Sequence, residues 1–145
     1  AEGCIMILID SDHFTVMAHE EYTGHHALAE RLRQEQQEVC LPIIAAEESL
    51  RGWLAKIHRV KRESQHIAAY DELLELISVF PKLRIIHWDE AAAQEFARQR
   101  GLRVNIPPYD LRIASLAITH DALLLTRNAK DFSRVSGLRF ESWLD

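Results

Sequence analysis

The sequence has few cysteines, no long apolar run and no excess of positive charge. Cys4 and Cys40 lack the CxxC or CxxH spacing of common metal sites, which favours buried, reduced thiols over a disulfide or a metal-binding pair. No apolar run approaches the ~18 residues of a membrane-spanning helix, and the first residues lack the basic and then apolar order of a signal peptide. These absences predict a soluble, cytoplasmic protein with no membrane partner.

The charge balance argues against one class of nucleic-acid-binding protein. With 17 basic and 22 acidic side chains the formal net charge is −5, whereas proteins that coat nucleic acid by bulk electrostatics carry a clear basic excess. A nuclease remains compatible with this balance, because enzymes that hold magnesium concentrate carboxylates at one place. The length of 145 residues and the 48% share of apolar residues predict a single domain over residues 1–145.

Short apolar segments alternate with longer amphipathic ones along the chain. Residues 4–10 are too uniformly apolar for a half-exposed strand, so we expect a central parallel strand that is covered on both faces. We predict strands at residues 4–10, 39–43, 83–88, 122–126 and 138–141. We predict helices at residues 13–19, 24–37, 45–59 (starting near Glu48), 63–80, 90–100 and 110–120. This order predicts an α/β protein with a doubly wound sheet, a three-layer α/β/α sandwich whose central, mostly parallel sheet has about five strands.

Two of the predicted helices carry apolar residues at helical spacing, and in each we expect this stripe to face the core. The stripes are Leu50, Trp53, Leu54 and Ile57 in one helix, and Ile67, Tyr70, Leu73, Leu74 and Ile77 in the next. Gly52 lies inside the first of these helices. Because a glycine there costs about 1 kcal/mol relative to alanine, we expect close packing or a close backbone approach at this position.

Carboxylates stand beside these elements where parallel sheets usually carry their chemistry. Asp10 and Asp12 follow the first strand, Glu48 opens an amphipathic helix, Asp110 starts another helix, and Asp131 follows the strand at 122–126. The carboxyl ends of parallel strands meet at one edge of the sheet, so we expect these acids to converge. Carboxylates about 5 Å apart repel by roughly 3 kcal/mol per pair at an effective dielectric near 20, so a cation must neutralise them. Oxygen-only ligands favour Mg²⁺ or Mn²⁺.

Five short segments carry a more specific pattern. They are LIDSD at residues 8–12, AEESLRG at 46–52, PYDLRIA at 108–114, LTRNAKDF at 125–132 and VSGLRFESW at 135–143. Together and in this order they resemble PIN-domain ribonucleases, specifically the VapC toxins of type II toxin–antitoxin systems. The corresponding blocks are L-D-T-[ND], acid-x-x-x-G, P-x-D-x-x-I-A, T-x-N-x-x-[DE]-F and V-x-G-L-x-x-x-x-W. The second block selects Glu48 over Glu47, because Glu48 lies four residues before Gly52.

The resemblance implies a PIN-like fold and a metal-dependent endoribonuclease, the toxin of a VapBC-type pair. It implies that Asp10, Glu48, Asp110 and Asp131 form an acidic quartet that holds Mg²⁺ or Mn²⁺, activates water and cleaves RNA phosphodiester bonds. It further implies a homodimer and a small VapB-like antitoxin whose C-terminal segment occupies the acidic groove.

Several other polar residues have both a functional and a structural interpretation. Candidates to support the acids are Ser11, Asp12, Thr126 and Asn128, and candidates for phosphate contact are Arg112 and Lys130. Alternatively, the hydroxyls of Ser11 and Thr126 form hydrogen bonds with backbone groups, and Asn128 is a turn residue. Asp110 and Asp131 could likewise serve only as caps of a helix and of a short turn.

A basic stretch with one interleaved tryptophan follows Glu48 and could form either an RNA-contacting rim or a solvated helix face. It comprises Arg51, Trp53, Lys56, His58, Arg59, Lys61 and Arg62. The eight histidines show no H-x-x-x-H spacing, so we expect structural or surface roles for them, with His13 the one near the acidic centre.

Two other functions compete with the ribonuclease. The segment from Asp10 to Phe14 also resembles the D-x-D-x-[TV] motif of haloacid dehalogenase-type phosphatases, but phenylalanine stands at its last position and Glu48 has no task in that mechanism. The second alternative is a PIN-like domain that binds RNA or protein without cleaving. The presence of all four acids speaks against it.

Overall fold

The computed structural model describes residues 6–144, which contain a five-stranded sheet with parallel neighbours throughout. The strands are β1 (Ile7–Ile9), β2 (Val39–Pro42), β3 (Arg84–Ile86), β4 (Leu123–Leu125) and β5 (Arg139–Glu141). Their order across the sheet is β3-β2-β1-β4-β5, so the first strand of the chain is the central one. The predicted doubly wound sheet is therefore confirmed.

Helices cover the sheet and complete the predicted α/β/α sandwich. Those described are α1 (Ser11–Ala18), α2 (His25–Gln34), α3 (Ile43–Arg59), α4 (Glu63–Val79), α5 (Glu90–Gly101), α6 (Pro108–Thr119) and α7 (Ala129–Phe132). The short helix α7 and a 3-10 turn at Phe80–Lys82 were not predicted. Among residues 6–144, no helix has both the length and the apolar character that crossing a bilayer requires.

The central strand is buried on both faces, as its composition predicts. Its three residues have no exposed surface, and Ile7 pairs with Val39 of β2 on one side and with Leu123 of β4 on the other. The backbone N–H of Asp10 donates to the carbonyl of Leu125 at 3.1 Å. The carboxyl ends of β1 and β4 therefore lie side by side and bring the residues that follow each strand to the same edge of the sheet.

The structure describes one of the two cysteines. Cys40, on β2, is a buried free thiol, as predicted. Burial, followed by the charge of Glu38, raises the pKa of this thiol to about 11, so the thiolate is disfavoured. Cys4 and the start of the predicted first strand lie outside the described residues.

The helix that carries Glu48 begins earlier than predicted. Strand β2 ends at Pro42, which adopts an extended conformation with ψ 140°, and α3 starts at the next residue. The predicted strand included Ile43, and β-branched residues such as isoleucine favour extended structure. Burial of Ile44, Ala45 and Ala46 against the core outweighs that preference, so Glu48 lies in the second turn of α3 rather than at its start.

One predicted core stripe is wrong in large part. On α4, the side chains of Ile67 and Leu74 are 67% and 66% exposed, and Tyr70 and Ile77 are also exposed, so only Leu73 of the predicted stripe is half-buried. Ala69 and Leu76 make the contact with the core instead. The same error occurs once on α3, where Trp53 and Ile57 are buried but Leu54 is 47% exposed. Helical spacing identified these stripes, but it does not determine what each stripe contacts.

Candidate active site

The four acids of the predicted quartet come from separate elements and lie close enough to interact electrostatically. Asp10 follows β1, Glu48 belongs to α3, Asp110 stands in the first turn of α6 and Asp131 in α7. Asp110 is affected by the charges of Asp131 and Asp10, and Glu48 by those of Asp110 and Asp10. The cluster lies beyond the carboxyl ends of β1 and β4, where parallel α/β proteins place their sites.

Asp10 is held by hydrogen bonds to one of its two carboxylate oxygens. Its Oδ1 accepts from the backbone N–H of His13 at 2.9 Å, which caps α1, and lies 3.0 Å from the Nδ1 of the same histidine. The buried His13 ring accepts the backbone N–H of Trp143 at its Nε2, at 3.1 Å. This acceptor role places the ring proton on Nδ1, which donates to Asp10. Because Oδ1 is already occupied by two donors, Oδ2 is the oxygen of Asp10 that is available to a cation.

Asn128 joins two other acids of the quartet. Its Nδ2 donates to the Oδ2 of Asp110 at 3.3 Å and to the Oδ2 of Asp131 at 3.0 Å. Its Oδ1 accepts the backbone N–H of Asp131 and so caps α7. The backbone N–H of Asn128 in turn donates to the Oγ1 of the buried Thr126 at 3.1 Å. Thr126 therefore positions Asn128, and Asn128 holds the two carboxylates near each other.

The negative charge of the cluster is only partly compensated, by the guanidinium of Arg134 at 4.0 Å from the Oδ1 of Asp131. Burial raises the pKa of Glu48 to about 7, and the charges of Asp110, Asp10, Asp12 and Glu47 add to this shift. Burial also raises the pKa of Asp110, followed by repulsion from Asp131 and Asp10, while the hydrogen bond from Asn128 opposes the shift. A bound cation would remove this repulsion, and the all-oxygen donor set matches Mg²⁺ or Mn²⁺.

A groove of about 300 Å³ leads away from the acids along α3. It begins at Ser11, Asp12 and Glu48, and ends at Lys56 and Arg59. Its walls also include Thr15, Tyr22, Ser49, Gly52 and Trp53. The groove is thus acidic at one end and basic at the other.

Gly52 leaves this groove open. A Cβ atom at this position would have no heavy atom within 4 Å, so the expectation of close packing is wrong. The glycine instead faces the space that a bound molecule would occupy. Sequence reasoning also missed Ser49, whose buried hydroxyl lines the groove without a hydrogen-bond partner among residues 6–144. A lone serine in an amphipathic helix gives no signal by which it could have been found.

The predicted phosphate contacts lie in different surroundings. The guanidinium of Arg112 packs over the rings of Phe96 and Tyr109, at 5.3 and 5.8 Å, whereas Lys130 is exposed on α7 beside Asp131. Phosphate contact by either residue stays a prediction. In the basic stretch after Glu48, Trp53 is buried, so it cannot stack on bases in the way an exposed tryptophan would.

Comparison with known proteins gives consistent matches. The profile of the family described as PIN domain matches residues 7–138. Ribonuclease VapC1 of Rickettsia felis is 53% identical over 36 residues, a stretch that covers 25% of this chain and 27% of that protein.

Solved structures are similar over nearly the whole chain. VapBC2 from Rickettsia felis, bound to a DNA fragment from the promoter, has a TM-score of 0.70 at 22% identity and covers 96% of this chain and 99% of that one. VapBC-1 from nontypeable Haemophilus influenzae has a TM-score of 0.72 at 19% identity, with 97% and 100% covered. FitAcB from Neisseria gonorrhoeae has a TM-score of 0.70 at 22% identity, with 95% and 99% covered. At these identities the likeness shows a shared fold.

Proposed function

The chain belongs to the PIN domain family, whose profile matches residues 7–138, and on this premise we propose that it is a magnesium-dependent endoribonuclease, the toxin of a VapBC-type pair. The observation that carries the proposal is the convergence of Asp10, Glu48, Asp110 and Asp131, where burial, followed by the crowding of acids, raises the pKa of Glu48 to about 7. The local identity to a protein named Ribonuclease VapC1 supports the same activity.

We assign the roles within the quartet from their surroundings. Asp10, whose Oδ1 is held by His13, and Asp110, whose Oδ2 accepts from Asn128, chiefly ligate the metal. Glu48 and Asp131 complete the site and orient water. When bound, a divalent cation stabilises negative charge on the scissile phosphate and lowers the pKa of water. Without a cation, burial and the neighbouring acids raise the pKa of Glu48 to about 7, and a bound cation would lower this pKa and favour the carboxylate that orients water.

The groove beside the quartet offers a path for the RNA strand. Its basic end, at Lys56 and Arg59, would contact backbone phosphates on the far side of the cleavage point. Lys56 is not a free cation in this structure, since its Nζ lies 2.7 Å from the Oε2 of Glu72. Entry of a phosphate would therefore require Lys56 to exchange one partner for another. The absence of a side chain at Gly52 keeps this path clear.

The phosphatase alternative has less support from the structure. Phe14, which occupies the position of the motif's threonine or valine, is fully buried and stacks on Phe80 with ring centroids 5.6 Å apart. Its side chain therefore serves the core. Glu48 and the groove along α3 also have no role in that reaction.

The proposal is tested by incubating the purified protein, freed of any bound partner, with total cellular RNA and Mg²⁺. We expect discrete cleavage products that disappear with EDTA and return when Mg²⁺ is restored in excess. An Asp10→Asn protein, purified in the same way, controls for a contaminating nuclease, since asparagine still caps α1 but lacks the carboxylate charge. Cleavage that persists with EDTA or in the Asp10→Asn protein would reject the assignment.

We also propose a homodimer and a VapB-like antitoxin as partners, and apolar surface on the described residues supports such contacts. A hollow of about 580 Å³ on the outer side of α3 is lined by apolar side chains that include Ile43, Leu50 and Leu54. The exposed stripe of α4, formed by Ile67, Tyr70, Leu74 and Ile77, is a second such surface. The similar structures named above include VapBC complexes. We assign the α4 stripe to the homodimer, because a single helix face can pair with its own copy about a two-fold axis.

Leu74→Asp should convert the dimer into a monomer, because a charge at the centre of a buried apolar stripe is costly to desolvate. Light scattering coupled to size-exclusion chromatography at micromolar concentration measures the mass. Ala68→Asp is the matched control, since this residue lies on another exposed part of α4. A Leu74→Asp protein that remains dimeric, or a wild-type protein that is monomeric, would contradict the assignment of this stripe.

A further inference from the structure

A second cluster of possible metal ligands lies at the junction of α1 and α4. His19 ends α1, Glu21 follows in the loop, and Glu75 projects from α4. The Nδ1 of His19 lies 3.4 Å from the Oε1 of Glu75 and 3.9 Å from the Oε2 of Glu21. The three ligand atoms all lie within 4.8 Å of one another, and none belongs to the acidic quartet.

The buried ring of His19 is the observation that favours a metal site here. The side chain has no exposed surface, yet neither ring nitrogen has a hydrogen-bond partner within residues 6–144. Burying a polar group without a hydrogen-bond partner is unfavourable, so such groups require a physical explanation. The ring is held in place by Tyr22 and Trp53, whose centroids lie 5.8 and 5.2 Å away. Its Nδ1 faces the two carboxylates.

The separation between His19 and Glu75 suits a tetrahedral ion. Ligand atoms about 2.0–2.1 Å from Zn²⁺ lie about 3.3–3.4 Å from one another at tetrahedral angles, and the His19–Glu75 separation is 3.4 Å. Glu21 is 61% exposed and can close its slightly longer distance by a side-chain rotation. One imidazole nitrogen with two carboxylate oxygens is a donor set that zinc accepts, whereas magnesium prefers oxygen alone.

We propose that His19, Glu21 and Glu75 bind a Zn²⁺ ion at a site separate from the acidic quartet. The ion joins the end of α1 and the loop after it to α4, and its fourth ligand position opens towards solvent on the side of the exposed glutamates. Tyr22 and Trp53, which contact the His19 ring, also line the groove beside Glu48. The ion therefore fixes one wall of that groove.

The test measures metal binding in a protein whose quartet is disabled by Asp10→Asn and Asp110→Asn. Titration with Zn²⁺ in a calorimeter should give about one equivalent, and Co²⁺ should give the visible absorption of a four-coordinate ion. Adding Glu75→Gln should weaken binding at least about tenfold, which is about 1.4 kcal/mol. Asp71→Asn, an exposed acid one turn earlier on α4, should leave binding unchanged.

His19→Gln should also abolish binding, but His19 is buried, so this substitution could affect folding as well. Glu75→Gln is the decisive variant, because the side chain of Glu75 is 43% exposed and this substitution should not unfold the protein. Circular dichroism checks the fold of each variant. No Zn²⁺ binding in the quartet-disabled protein, or equal affinity with and without Glu75→Gln, would overturn the proposal. In that case the cluster is a set of contacts between a histidine and two glutamates without a metal. Neither outcome bears on the RNA-cleavage assay.

Discussion

Asp110→Asn is expected to lower the rate of RNA cleavage by about 1,000-fold while leaving the fold intact. A metal ligand contributes several kcal/mol to stabilising charge in the transition state, and each 1.4 kcal/mol corresponds to about tenfold in rate. Asparagine keeps the shape of the side chain and an oxygen that can still accept the hydrogen bond from the Nδ2 of Asn128. The loss should therefore come from the missing charge and not from local rearrangement.

The same substitution should raise the thermal stability of the metal-free protein. Burial and the charges of Asp131 and Asp10 already disfavour an ionised Asp110, and a neutral side chain removes that repulsion. Asp71→Asn is again the control, since it changes the same chemical group at an exposed position on α4. An Asp110→Asn protein that keeps more than about a tenth of wild-type activity would place the reaction elsewhere. Unfolding of this variant would show that Asp110 is chiefly structural.

The sequence predicted the position of the acids better than it predicted the hydrogen bonds that hold them. A uniformly apolar strand can only be central, and central parallel strands end at one edge, so Asp10 and Asp131 were expected to lie there. Asn128 was named as a candidate to support the acids, but its bridge between Asp110 and Asp131 was not predicted, because this bridge depends on the approach of α6 to α7. This contact joins residues that are 18 positions apart, and no local spacing rule describes it.

Helical periodicity was a weaker guide to burial than to helix formation. α4 was predicted within one residue of its observed bounds, yet its apolar stripe is exposed, because the side of the helix that packs on the core carries the smaller Ala69 together with Leu76. A stripe shows that a helix has an apolar face. Whether that face packs against the same chain or against another chain depends on how α3 and α4 are arranged. The spacing of residues within one helix does not determine this arrangement.

The cluster at His19 illustrates a second limit of sequence reasoning. Its proposed ligands come from the end of α1, the loop that follows and the C-terminal part of α4, and Glu75 is 56 residues away from His19 along the chain. Zinc sites that are visible in a sequence have two ligands at short, regular spacing. Here only folding brings the third ligand to the other two, so the histidines were expected to be structural.

Glu48→Gln is expected to abolish cleavage and, in the absence of metal, to stabilise the protein above pH 7. In the folded protein burial raises the pKa of Glu48 from the ordinary 4.5 to about 7. Between these two values the folded protein holds a proton that the unfolded chain has released, so the stability of the wild-type protein falls as the pH rises through this window. Glutamine does not ionise, so the Glu48→Gln protein should not lose stability in this pH window for this reason.

In buffers that contain EDTA, the wild-type and Glu48→Gln proteins should therefore melt at similar temperatures near pH 4.5. Their melting temperatures should move apart as the pH rises through 7, and the difference should be constant above about pH 8. Each kcal/mol gained in the free energy of unfolding corresponds to roughly 3–5 °C in melting temperature for a protein of this size. Mg²⁺ should narrow the gap at pH 8, because the cation stabilises the ionised wild-type cluster more than the variant. A gap that is independent of pH, or one that Mg²⁺ widens, would show that Glu48 does not belong to the cation-binding cluster.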